Sequence, residues 1–218
     1  MGDLVITAPD LDPEELEPFD DEPDDDLTEV RVEGAAWSGV EVAGARIDRS
    51  LLVGGDLTET VWRNLTLRGC RLENVDLSGA TFRGAAIERC VFVGCRMTGV
   101  VLVKATLKDV LFTDCRLDYA RMEEVRTTGP TAWLRCLLGR ASLTACRLPT
   151  AALAECRLDE AELTGCDLRG ADLRGTDLRD SDLSGLRGMD SLRGAVVATP
   201  QLEELAVLAA RELALDVR

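Results

Sequence analysis

The side chains with the most chemical potential in this chain are eight cysteines, Cys70, Cys90, Cys95, Cys115, Cys136, Cys146, Cys156 and Cys166. There is no histidine, which removes the commonest general base and the Ser-His and Cys-His nucleophile systems. No two cysteines form a CxxC pair, the spacing of zinc and dithiol sites, and the closest are five residues apart. Forty carboxylates could in principle form the acid–base pairs that hydrolyse glycosides, but such pairs need a cleft that brings two of them together. The glycine-rich motifs that cradle dinucleotides or nucleoside triphosphates are absent. What the thiols do depends on whether the backbone makes them converge.

The backbone pattern answers that question. From Val32 an apolar residue returns at every fifth position through Trp37, Val42, Ile47 and onward to Met122, nineteen pentads without a slip. The track resumes at Trp133 and runs through Leu138, Leu143 and Leu148 to Leu183, eleven more. Two residues before each large residue stands a second track dominated by small ones, such as Ala80, Ala85, Ala105, Ala120, Ala161 and Ala171. Residues two apart on an extended segment point to the same side, so the paired tracks imply short β-like stretches facing one interior. Five is odd, and a continuous strand would turn its next apolar residue outward; each pentad must therefore contain a corner. A helix fails too, because five residues advance about 500 degrees and the apolar residue would visit every face. Gly79, Gly84, Gly94, Gly99, Gly165, Gly170, Gly175 and Gly185 all fall two after a large residue, where a tight corner favours positive φ.

Segments this short satisfy their backbones by stacking on the coils above and below, which predicts a solenoid. Cys70 and Cys90, Cys95 and Cys115, Phe92 and Phe112, Cys136 and Cys156, and Cys146 and Cys166 are each twenty apart, in agreement with four-sided coils. Several of these types also recur at ten, so the number of sides stays open at this stage. All eight cysteines occupy the small inward track and are expected to act as small buried hydrophobes rather than metal ligands. Trp37, Trp62, Trp133, Phe82, Phe92 and Phe112 lie on the large track and are expected in the core; Tyr119, two after Leu117, falls at a corner and is expected on the surface.

Three copies, Ala171-Asp172-Leu173-Arg174-Gly175, Thr176-Asp177-Leu178-Arg179-Asp180 and Ser181-Asp182-Leu183-Ser184-Gly185, closely match the repeat A(D/N)LXX. Over about residues 30–197 the chain resembles the pentapeptide repeat family. The resemblance implies an all-β solenoid, a right-handed quadrilateral parallel β-helix. It also implies a non-enzymatic protein-interaction role: some members mimic double-stranded DNA, bind DNA gyrase and change its sensitivity to quinolones, and commonly dimerise through a C-terminal module.

Charge bears on that implication. Of 40 acids, 13 lie within residues 1–29, which contain no Lys or Arg, leaving 27 acids against all 25 basic residues. With Pro9, Pro13, Pro18 and Pro23 along it, this segment is expected to be an acidic disordered tail. The repeat region is thus nearly neutral, a departure from the DNA-mimicking members. Asp167, Asp172, Asp177 and Asp182 precede four successive core leucines and should encircle one coil, with Arg169, Arg174 and Arg179 following on the same exposed strips. These four aspartates and Tyr119 are the candidate protein-interaction residues.

Eleven residues separate Met122 from Trp133 where two pentads need ten, so one residue is inserted around Thr127-Thr128-Gly129-Pro130. A bulge is expected there. Residues 198–218 read as a capping helix, with Thr199 as N-cap, Pro200 at the first helical position, and Leu202, Leu205, Leu208, Ala209 and Leu213 at helical spacing. In the family such a helix can also form a homodimer, the alternative being a helix used wholly for capping. The organisation expected is a tail over 1–29, a β-helix over 30–197 and the helix over 198–218.

No apolar run approaches the length of a membrane-spanning helix, no basic segment leads into an apolar stretch, and no basic stripe suggests direct nucleic-acid binding. A cytoplasmic, cofactor-free protein that binds another protein, with DNA gyrase as the specific alternative, is the reading these features support.

Overall fold

The computed structural model describes residues 5–23 and 26–216; residues 1–4 and 24–25 of the N-terminal segment and 217–218 of the C-terminal one lie outside them. Every strand pair is parallel and the register advances by one coil per rung. Val32 pairs with Leu52, then Leu72, Phe92 and Phe112. On a second face Val42 pairs with Trp62, Phe82, Leu102 and Met122. Leu27, Ile47, Leu67, Ile87 and Leu107 stack on a third. The fourth is held by single bridges from Ala36 to Asp56, Asp76, Arg96 and Arg116. Four ladders, each advancing twenty residues, make a four-sided coil, which removes the ambiguity left by the sequence.

Inside, the large track forms one continuous core, and buried Ala, Cys, Ser, Thr and Val, with Leu65, fill the alternate positions. Phe92, Phe112 and Trp133 stack along one wall with ring centroids 4.7 and 5.3 Å apart. Aromatic rings thus continue from coil to coil at the strand spacing. The corners need left-handed backbone, as the glycines suggest, but many are not glycine: Tyr119, Asn64 and Asp109 have φ of 59, 55 and 55°. Next-coil hydrogen bonds such as Tyr119 N–H to Gly139 O at 2.9 Å hold them there. Glycine is required where the next backbone comes close: a Cβ on Gly188, at φ +99°, would lie 2.5 Å from Arg169 N.

The inserted residue lies where the sequence places it. Leu107 pairs with Thr127 twenty residues on, whereas Val110 pairs with Thr131 twenty-one on. The extra residue is absorbed as a bulge over 128–130, with no projecting loop; Thr128 N–H still donates to Leu107 O and Val110 N–H to Pro130 O. Thr127 occupies a buried large-track position, and its hydroxyl pairs with Thr150 Oγ1 at 3.0 Å.

Both ends are covered. Residues 1–29 read as a tail separate from the rod, but much of the described part is built into the N-terminal coil. Glu17 and Pro18 pair with Val30 and Arg31, and Leu27 pairs with Ile47. Phe19 packs edge-on against Trp37 at 6.5 Å, Trp37 Nε1 donates to Asp21 O at 2.9 Å, and Leu16 is buried. The physical reason is that the first coil exposes a hydrophobic interior and unpaired backbone, and Leu16, Phe19 and Leu27 supply apolar cover despite the surrounding acids.

At the other end a 3-10 turn over Thr199–Gln201 leads into the helix Leu202–Glu212. Ala198, not Thr199, is the residue at the cap; its N–H is satisfied by Gln201 Oε1 at 2.7 Å. Gln201 Nε2 donates to Leu178 O and Ser181 O, both at 2.8 Å, and Glu212 accepts from Gly188 and Met189 N–H at 2.5 and 3.0 Å. Polar side chains thereby replace the backbone partners that a further coil would provide.

Candidate protein-interaction surface

The small inward track explains the cysteines. All eight are free and buried. Their thiols lie near interior carbonyls of the preceding coil: Cys95 Sγ is 3.5 Å from Leu72 O, Cys115 Sγ 3.5 Å from Phe92 O and Cys156 Sγ 3.3 Å from Trp133 O. Ser191 makes the equivalent contact with Oγ to Leu168 O at 2.6 Å. A thiol or hydroxyl thus fills the small position and offers a donor to a carbonyl inside the rod. Burial pushes the Cys90 thiol well above its ordinary pKa. Among the described residues no group of three or more Cys, Asp or Glu is placed to hold a metal ion.

The outward positions carry what remains for recognition. Tyr119 is at a corner and 53% exposed. Arg140, one coil on, donates to Tyr119 Oη at 3.0 Å, lies 5.8 Å from its ring centroid, and makes two bonds to Glu160 at 2.9 and 3.1 Å. The side chain is therefore oriented, as one member of a Tyr-Arg-Glu column. Asp167, Asp172, Asp177 and Asp182 do encircle one coil, one to each face, since Asp167 bridges to Arg147, Asp172 to Ala152, Asp177 to Arg157 and Asp182 to Glu162.

That arrangement separates the aspartates instead of gathering them. Asp167, Asp172 and Asp177 each pair with the arginine two residues on, at 2.5, 2.6 and 2.6 Å. The hydrogen bonds from Arg169, Arg174 and Arg179 hold the three carboxyls below the usual range. Asp182 has no arginine at that spacing and accepts from Ser184 N–H at 2.8 Å. On this coil three of the four carboxylates are thus partnered locally by arginine.

The C-terminal helix leaves part of its apolar surface uncovered. Its apolar spacing suggests one buried stripe, but only Leu208 is fully buried, with Leu205 packed partly against the core. Leu202, Val207, Leu213 and Leu215 are 54–69% exposed. The polar contacts of Gln201 and Glu212 fix the helix across the last coil, and that orientation leaves Leu202 and Leu213 facing out.

Comparison with known families accords with this geometry. Models described as pentapeptide repeats match residues 45–84, 136–175 and 146–185, and one described as a pentapeptide repeat region matches residues 65–131. The chain belongs to the pentapeptide repeat family. A comparison with curated proteins finds no match. Among solved structures, this pentapeptide repeat chain is similar to full-length QnrB1, a plasmid-mediated fluoroquinolone resistance protein. Identity is 17%, with 90% of this chain and 99% of that chain covered and a TM-score of 0.33. A trypsin-treated form of QnrB1 gives 18% identity, 92% and 94% coverage and a TM-score of 0.35. A pentapeptide repeat protein, Rfr23, from the cyanobacterium Cyanothece 51142 gives 15% identity, 66% and 91% coverage and 0.21.

Proposed function

We propose that this pentapeptide repeat rod is a non-enzymatic scaffold that binds another protein through its outward faces, in the cytoplasm, where its thiols stay reduced. The observation that carries this reading is the division of labour between tracks. The core takes up the cysteines and nearly all the aromatics, leaving recognition to flat faces and to oriented surface groups such as the Tyr119, Arg140 and Glu160 column. A tyrosine held in place by a guanidinium loses little side-chain freedom on binding, which suits it as an anchor. The uncovered Leu202, Val207 and Leu213 support self-association through the C-terminal helix as part of the same function.

Gyrase binding by DNA mimicry is the finer alternative. The local pairing of Asp167, Asp172 and Asp177 with arginines weighs against it, since mimicry of a phosphate backbone needs one sign of charge to dominate a face. The test of the scaffold reading is site-specific photocrosslinking in cells from position 119 and from one outward position on each other face. A discrete protein adduct from a subset of positions is expected; no adduct from any of them overturns the reading. Inhibition of purified gyrase supercoiling by the chain, with quinolone protection, would establish the alternative in its place.

A further inference from the structure

Three of the four faces carry charged residues at their outward positions through the middle of the rod, and the fourth does not. On the sheet that includes Ala86–Val93, Thr106–Thr113, Thr131–Leu134 and Ala151–Ala154, one outward column reads Val91, Leu111, Ala132, Ala152 in register. The second column reads Val93, Thr113, Leu134, Ala154. Over four coils these eight positions hold no charge. Val91 is buried yet stands outside the interior cluster, shielded by its neighbours on the outer surface. The accessible apolar surface is supplied mainly by the half-buried Leu111, Leu134 and the alanines. Just before the strip, the rung of Arg71 and Glu73 carries an ion pair; just after it, Asp172 and Arg174 carry one of reversed order.

We infer that this face is a contact surface for a second copy of the chain, packed face to face with the two rods antiparallel. The two-fold axis lies along the strand direction, between the rungs of Leu111 and Ala132. Such an operator keeps each column opposite itself and reverses the order of rungs. Large then meets small at every level: Val91 faces Ala152, Leu111 faces Ala132, Val93 faces Ala154, and Leu134 faces Thr113. Charges meet their opposites: Arg71 faces Asp172, Glu73 faces Arg174, and at the corner Asp114 faces Arg135. Parallel rods would set the valines of one rung against each other and the alanines of another against each other, wedging one end apart and leaving a gap at the other. Antiparallel packing alone matches both size and sign.

The strip between the two charged rungs spans five strand spacings, about 24 Å, and about 10 Å across. That footprint is well below the roughly 800 Å² per partner of a standard stable interface. The association is therefore weak and concentration-dependent, and it is separate from any contact made by the C-terminal helix at the end of the rod.

Sedimentation equilibrium on the full chain, from low micromolar to several hundred micromolar, should show a concentration-dependent association step supplied by this face, in addition to any made by the C-terminal helix. Ala132→Arg, which sets an unpaired cation beside the axis, should weaken it at least about tenfold without changing the melting temperature. The register is read by disulfide formation under mild oxidation. Val93→Cys and Ala154→Cys should each give no crosslink alone, because like positions lie three rungs from each other across the axis. Mixed, they should give a covalent dimer of one copy of each. A chain that is monomeric throughout overturns the inference, as does a mixture that crosslinks no more than its components. A dimer indifferent to Ala132→Arg overturns it too, and assigns self-association to the helix end. If Ala132→Arg lowers the melting temperature, the cysteine mixture alone decides.

Discussion

Leu102→Asp and Val103→Asp place the same carboxyl one residue apart on the short strand Val101–Val103, with opposite outcomes expected. Leu102 is 2% exposed and lies in register between Phe82 and Met122, inside the core. Removing a buried leucine side chain costs about 2–5 kcal/mol. A buried carboxyl without a hydrogen-bond partner adds about 1–3 kcal/mol even after it takes up a proton. The sum, about 3–8 kcal/mol, is a large part of the about 5–15 kcal/mol that holds a typical domain together. Val103 is half-buried and lies between Arg83 and Glu123 on the outer surface. An aspartate there gains Arg83 and faces Glu123, so its cost should stay within about 1 kcal/mol. Urea titration followed by circular dichroism, comparing both variants with the parent chain, measures the difference. Equal losses, or a larger loss for Val103→Asp, would refute the assignment of the large track to the interior.

The two buried tryptophans give a second contrast. Trp62 Nε1 donates to Thr60 Oγ1 at 3.0 Å, whereas among the described residues Trp133 Nε1 has no partner, so Trp62→Phe should cost about 1 kcal/mol more than Trp133→Phe in thermal melts. Deleting residues 199–218 removes the contacts of Gln201 and Glu212 to the last coil and should cause aggregation or early melting, seen by light scattering; a truncated chain with the parent's mass and melting temperature would dismiss the cap. The Asp172 carboxyl is held down by Arg174, so its contribution is present above the ordinary aspartate pKa of about 3.9 and is lost as pH falls through the depressed folded value. Arg174→Ala should therefore cost no more than about 1 kcal/mol at pH 7, and the difference from the parent should vanish in stronger acid.

The fold was legible because its period is strict. One large and one small residue per pentad, with outward residues free to vary, leave little room for another architecture. The number of sides was not, because cysteines recur at ten as well as twenty; the twenty-residue pairing on all four ladders, as of Phe92 with Leu72 and Phe112, resolves it. The N-terminal cap was hidden by its charge. Leu27 stands five before Val32 and continues the track, but thirteen acids around it dominate any composition-based reading. The helix was legible from its spacing; which of its side chains lie against the last coil was not, because Gln201 and Glu212 help fix it there and hydropathy does not weigh them. At the surface, Tyr119 and the ring of aspartates could be placed from corner and register positions. The uncharged face could not be seen along the linear sequence, since it appears only when every fourth pentad is grouped together.

Every coil buries its small track, and the eight cysteines report on it from Cys70 to Cys166. Labelling the native, reduced protein with a thiol reagent and counting modified residues by mass spectrometry tests this directly. All eight should remain unmodified on a timescale in which the urea-unfolded chain reacts completely. Rapid modification of most of them in the native state would put the small track outside the rod.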